Sequence, residues 1–169
     1  FLPSPVDMKL DISEQQVEQL DTINQIVESA VYSWPLPARL KRLALPALQY
    51  KSIDYRDFEI FSCYKASANV GVAVWQPSNP LAHAETCDVA LLHGLYVHSG
   101  AQREGIGSML INHIANRAES IGMAGLYVRA ERVSVDYFAK QGFRMLAADE
   151  DPGAGITPYP YRMLRLFAV

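Results

Sequence analysis

A near-continuous apolar run, CDVALLHGLYV at 87–97, is followed after HSGAQRE by Gly105-Ile-Gly107, and Ile106, Leu110, Ile114, Ala118 and Ile121 then recur at helical spacing. A strand of that character is covered on both faces, so the rest of the chain has to supply strand neighbours and helical layers around it. The two glycines stand where strand gives way to helix, and Gly122 is placed to stop that helix. Gly94 interrupts the strand. A glycine there marks a bulge or the close approach of another backbone or a ligand.

The neighbours are legible on both sides. DFEIFSCY at 57–64 alternates as a strand, KASAN supplies turn residues, and VGVAVW at 70–75 reads as the returning strand of a hairpin that QPSNP ends. Beyond the helix, GLYV at 125–128 predicts a strand and VSVDYFAKQ at 133–141 a helix ending at Gly142. FRML predicts another strand, and YRMLRLF at 161–167 the last one, after the long segment 147–160. Nearer the start, Ser13 three residues before Gln16, with Ile12 able to staple to Val17, predicts a helix carrying Val17, Leu20, Ile23, Val27 and Val31. SWPLPARLKRLALP at 33–46 carries three prolines, which predicts a broken connection with one or two helical turns. A surface loop and a substrate-lining segment are both open for it. The order indicates an α/β (α+β) fold, a mixed sheet of six to seven strands flanked by helices.

With 169 residues, half of them hydrophobic, the chain has the size of a single domain, 1–169, with an ample core. A formal charge of -3 offers no basic patch for nucleic acid, and no apolar run approaches the ~20 residues of a membrane helix. Cys63 and Cys87 lack metal-ligand spacing and read as buried thiols of a reducing, cytoplasmic compartment, with no metal site expected. FLPSPVDMKL lacks the charged and apolar regions of a secretory signal, and Met8 is a candidate natural start.

Glycines at a helix start let an anion approach amides that have no partner within the helix. A Walker phosphate loop would need Gly-Lys-Ser/Thr, but Gly107 is followed by Ser108 and Met109. A dinucleotide fingerprint would put a small residue at 110 and its first glycine directly after the strand. Leu110 and the intervening HSGAQRE oppose that, as does the antiparallel hairpin upstream, although Glu131 mimics the ribose-binding acid.

QREGIG at 102–107 matches the Q/R-x-x-G-x-G/A signature of the GNAT superfamily of N-acetyltransferases, and the surrounding chain resembles that family in element order. LYV at 95–97 resembles the end of the family's fourth strand, Gly71 the glycine often found in its third, and YFAKQGF at 137–143 its fourth helix with the following Gly-Phe. The resemblance covers most of the chain and is weakest over 1–55. It implies a mostly antiparallel sheet with splayed fourth and fifth strands. It also implies acetyl-CoA as acyl donor, with the pyrophosphate wrapped by main-chain amides of Gln102, Arg103, Glu104, Gly105, Ile106, Gly107 and Ser108. Arg103 adds charge. The pantetheine arm would bond the backbone of Leu95, Tyr96 and Val97, and the Leu95 N–H would stabilise the oxyanion. The acceptor is then a small-molecule or peptide amine attacking directly, without an enzyme nucleophile. Homodimerisation, frequent in the family, is left open, as is a noncatalytic acyl-CoA-binding module.

The family's acid is a tyrosine four residues before the glycine of Gly-Phe. That position is Phe138 here, a cofactor contact without a hydroxyl. Tyr137 is adjacent but turned by ~100° on a helix, and a CoA thiolate, with an ordinary thiol pKa near ~8.5, can leave unassisted. His93 lies near the family's base position, and an imidazole pKa near ~6.5 suits amine deprotonation. Asp88, His83 and Glu85 are weaker alternatives. Glu131 stands where the family has an asparagine. Asp149, Glu150 and Asp151 form an acidic cluster able to attract a cationic amine, or an ordinary solvated loop. Tyr32, Trp34, Tyr159 and Tyr161 line an aromatic pocket or simply pack.

Overall fold

The computed structural model describes residues 9–77, 89–147 and 161–168. Its seven strands form one sheet in the order β1-β2-β3-β4-β5-β7-β6. The strands are β1 (Leu10–Gln15), β2 (Glu59–Lys65), β3 (Ala68–Gln76), β4 (Val89–Val97), β5 (Gly125–Ala130), β6 (Arg144–Met145) and β7 (Tyr161–Leu166). The helices are α1 (Leu20–Tyr32), α2 (Ala38–Leu48), α3 (Ile106–Ser120) and α4 (Val135–Lys140). By contacts the chain divides into two compact units, Phe1–Val74 with Gly94–His113, and Trp75–His93 with Ile114–Val169.

In the first unit, β1 pairs antiparallel with β2 from Leu10↔Lys65 to Gln15↔Ile60. β2 turns into β3 through Ala66 and Ser67, both with positive φ (48° and 66°), the mirror-type turn whose twist suits a two-residue hairpin. Period-two alternation then sorts β3 between two layers. Val72 and Val74 join Ile23, Ile26, Val27, Ala30 and Val31 of α1, together with Ile60, Tyr50 and Tyr96, in one buried cluster. Gly71, on the opposite face, meets Ile106 and Leu110 of α3.

Two expectations for this unit are corrected. Ser13 does not open a helix: it sits in β1 opposite Ser62. A 3-10 turn at Val17–Gln19 opens after it, where Gln16 N–H donates to Gln19 Oε1 at 2.7 Å, and α1 follows at Leu20. LDISEQ alternates well enough for a strand, and pairing with β2 outweighs the local capping pattern. The segment after Pro37 is not one or two turns but the 11-residue α2, with Pro46 inside it. Pro46 falls in the last turns, where its ring costs Arg42 one hydrogen bond at an exposed position, while Leu45 and Leu48 pack onto the α1 cluster.

In the second unit, β5 pairs antiparallel with β7 from Gly125↔Leu166 to Ala130↔Tyr161, and β6 pairs with β7 at Arg144↔Leu164 and Met145↔Met163. β4 joins β5 in parallel register from Val89↔Gly125 to Leu92↔Val128. The ladder ends there although β4 runs on to Val97 and β5 to Ala130. Val89, Leu91 and Tyr127 form a small core with Leu146 and Leu164. Among the described residues no helix is long and apolar enough to cross a membrane, and no group of three or more His, Cys, Asp or Glu side chains is placed to hold a metal ion.

Candidate active site

The glycine bend is built by two left-handed residues. Arg103 has φ +67° and Gly105 φ +80°. The first is strained by roughly 1–2 kcal/mol for a side-chain-bearing residue; the second needs glycine for its φ alone, since a Cβ there would meet nothing within 4 Å. The first helical bond of α3 runs from Met109 N–H to Gly105 O at 3.0 Å, so the amides of Ile106, Gly107 and Ser108 precede the ladder. Open space thus lies over a bend followed by helix-start amides, which suits an anion.

The bend is tied down from its entry side. His98 N–H donates to Val70 O at 2.9 Å, and its Nδ1 accepts from Gly100 N–H at 2.9 Å. Ser99 N–H donates to Ser29 Oγ at 3.1 Å. The Gln102 amide donates to Ser33 Oγ at 2.9 Å, and that hydroxyl donates on to Ala30 O at 2.6 Å, at the end of α1. Gln102 therefore anchors the bend through its side chain. Glu104, an acid unsuited to an anion site, is ion-paired with Lys65 at the hairpin end, while Arg103 is exposed.

On β4, Leu95 and Val97 are half-buried and Tyr96 is buried. A Cβ on Gly94 would collide with Tyr50 Oη and lie 2.7 Å from Tyr96 Cε2, so what approaches this glycine is a pair of aromatic side chains. Tyr50 is 4 % exposed, and its backbone is clamped by Asn24, whose Oδ1 accepts from Tyr50 N–H at 2.8 Å and whose Nδ2 donates to Tyr50 O at 2.9 Å. Its ring stands edge-on to Phe58 and to Tyr96, centroids 6.5 Å apart in each pair. Neither Tyr50 nor Asn24 carries a motif or a periodic position that marks it in the sequence.

In the second unit, His93 is exposed at the end of the paired part of β4. On α4, Phe138 is 7 % exposed and packs against Phe143 with centroids 5.4 Å apart, whereas Tyr137 is 38 % exposed with its ring edge-on to Phe138. The helix therefore commits position 138 to the core. Glu131 is exposed at the start of the turn before α4. Trp34 packs on the α1 cluster, Tyr32 is exposed and Tyr161 half-buried. His83, Glu85, Cys87, Asp88, Asp149, Glu150, Asp151 and Tyr159 lie outside the described residues. Cys63 is buried, and burial, then Asp11, pushes its thiol pKa up, which makes it a poor nucleophile.

Residues 41–165 match the acetyltransferase (GNAT) domain family. The chain belongs to that family. The GNAT fold recurs in solved structures at low identity. The paia N-acetyltransferase of Thermoplasma acidophilum, in complex with coenzyme A, is 14% identical with TM-score 0.71, covering 95% of this chain and 100% of that one. An acetyltransferase of Thermus thermophilus is 19% identical with TM-score 0.64 over 95% and 99% of the two chains. A GNAT acetyltransferase of Brucella melitensis, in complex with acetyl-CoA, is 16% identical with TM-score 0.64 over 95% and 90%. No curated protein sequence matches significantly. As a GNAT protein the chain has the fold for acyl transfer, on a mixed, mostly antiparallel sheet with β4 and β5 parallel.

Proposed function

We propose that this GNAT protein is a single catalytic domain that moves acetyl from acetyl-CoA to a primary amine by direct attack in a ternary complex. The observation that carries the reading is the Arg103–Gly105 bend, which opens onto the first amides of α3 directly after β4. A pyrophosphate fits such a bend: the space over Gly105 is open, Arg103 is exposed, and the one acid of the loop is paired with Lys65. Leu95, Tyr96 and Val97 would bond the pantetheine through their main chain, with the Leu95 N–H facing the thioester oxygen. His93, exposed on β4, is the base for the ammonium. The amine nitrogen bonds to the thioester carbon, the C–S bond breaks, and the second proton of the nitrogen passes to the departing thiolate through Tyr137 or through solvent. The buried thiol of Cys63 fits a route without a covalent enzyme intermediate. A reducing, cytoplasmic setting suits the same thiol.

Thiol release from acetyl-CoA in the presence of small primary amines and of peptides tests the reading. Amine-dependent release is expected, and the better panel identifies the acceptor class. One observation favours a second reading: Phe138 fills the core without a hydroxyl, as a noncatalytic acyl-CoA-binding module would permit. Acetyl-CoA binding with no release over the uncatalysed rate on any acceptor would replace the first reading by that one.

A further inference from the structure

Gly94 immediately precedes Leu95, so the peptide plane that carries the Leu95 N–H turns on a glycine, the residue with the freest backbone. An amide that stabilises an oxyanion acts by being fixed before charge develops, and a glycine hinge beside it works against that. The structure closes the hinge from the side. Tyr50 Oη stands within clashing distance of the place where a Cβ of residue 94 would be, and the Tyr96 ring edge lies 2.7 Å from the same point. Tyr50 is itself held at four places, by both hydrogen bonds of Asn24 and by the rings of Phe58 and Tyr96. Phenylalanine in this place would keep the ring packing and leave the contact over Gly94 open.

We infer that Tyr50 is a positioning residue for acyl transfer: its hydroxyl, seated over Gly94, holds the Gly94–Leu95 peptide in the orientation that presents the Leu95 amide to the reacting carbonyl. This role rests on the reading of Leu95 as the oxyanion donor. It forms and breaks no bond, and it assigns a task to a residue on the segment between α2 and β2.

Tyr50→Phe keeps the ring and removes one oxygen atom; Gly94→Ala drives a methyl against that oxygen. The expected result for Tyr50→Phe is a kcat of thiol release from acetyl-CoA, with ethanolamine or water as acceptor, lowered by roughly tenfold or more. KM for acetyl-CoA and the thermal midpoint stay at wild-type values. Gly94→Ala is expected to give a comparable fall, and the double variant to be no worse than the more damaged single one, because both act at one point. Amide hydrogen exchange at Leu95 in the acetyl-CoA complex, followed by NMR, reads the same effect without turnover and should be faster in both variants. Wild-type kcat and unchanged Leu95 exchange in Tyr50→Phe would overturn the role, as would a loss confined to the thermal midpoint. A wild-type protein that fails to bind acetyl-CoA at all would instead overturn the site reading, and this role with it.

Discussion

Ile106, the first residue of α3, lies over Gly71 of β3 so closely that a Cβ on the glycine would stand 2.7 Å from its Cγ2 and 3.0 Å from Leu110 Cδ1. The start of α3, and the amides it offers, therefore rests on a missing side chain in the sheet below.

Gly71→Val should force the helix start outward. Overpacking of this kind costs about 1–3 kcal/mol, and each kcal/mol lowers the thermal midpoint of a chain this size by about 2–4 °C. Acetyl-CoA affinity should fall with it, since the amides of 106–108 move. Calorimetric unfolding and ligand titration of the same preparation check both effects.

Gly105→Ala should behave differently. The site is exposed and open, so the cost is backbone strain of roughly 1–2 kcal/mol at φ +80°. Acetyl-CoA binding should weaken by about tenfold if that strain is relieved by moving the bend, while Gly105→Asn, which tolerates the left-handed region, should lose less. Urea unfolding and calorimetric titration separate the two terms.

His93→Ala should reduce turnover by about 10²-fold or more at neutral pH while leaving acetyl-CoA affinity intact. Turnover equal to wild type would remove His93 from the chemistry.

Tyr55 supplies a prediction about stability alone. Burial, followed by Glu18 and Glu14, raises its pKa to about 12, and its hydroxyl is buried without a hydrogen-bond partner among the described residues. The folded protein holds this proton more tightly than the unfolded chain. The contribution is therefore complete below pH ~10, the unfolded value, and is lost as pH rises from there through about 12. Tyr55→Phe should flatten alkaline unfolding over that window and leave stability at pH 7 unchanged or raised by about 1 kcal/mol. Urea midpoints at pH 7 and pH 11 provide the measurement.

Most of the sheet was legible in the sequence because each strand carries its own signal. β2, β3 and β4 combine apolar runs with a turn at Ala66 and Ser67, and Gly105, Gly122 and Gly142 punctuate the helical part at positive φ. β1 was hidden because Ser13 and Gln16 imitate a helix start, and its partner Ser62 lies far along the chain. α2 was shortened because a proline counts locally, whereas the anchorage of Leu45 and Leu48 is tertiary. The anion bend is contiguous, so one motif carried all of it. Tyr50 was not visible for the opposite reason: its role depends on Asn24, Gly94 and Tyr96, three positions joined only by folding.

The measurement closest to the central claim is calorimetric titration of the full chain with acetyl-CoA, using NADH and ATP as controls. Saturable one-to-one binding of acetyl-CoA with both controls silent is the expected result. A folded protein that takes up no acetyl-CoA, or binds NADH or ATP as well, would contradict it.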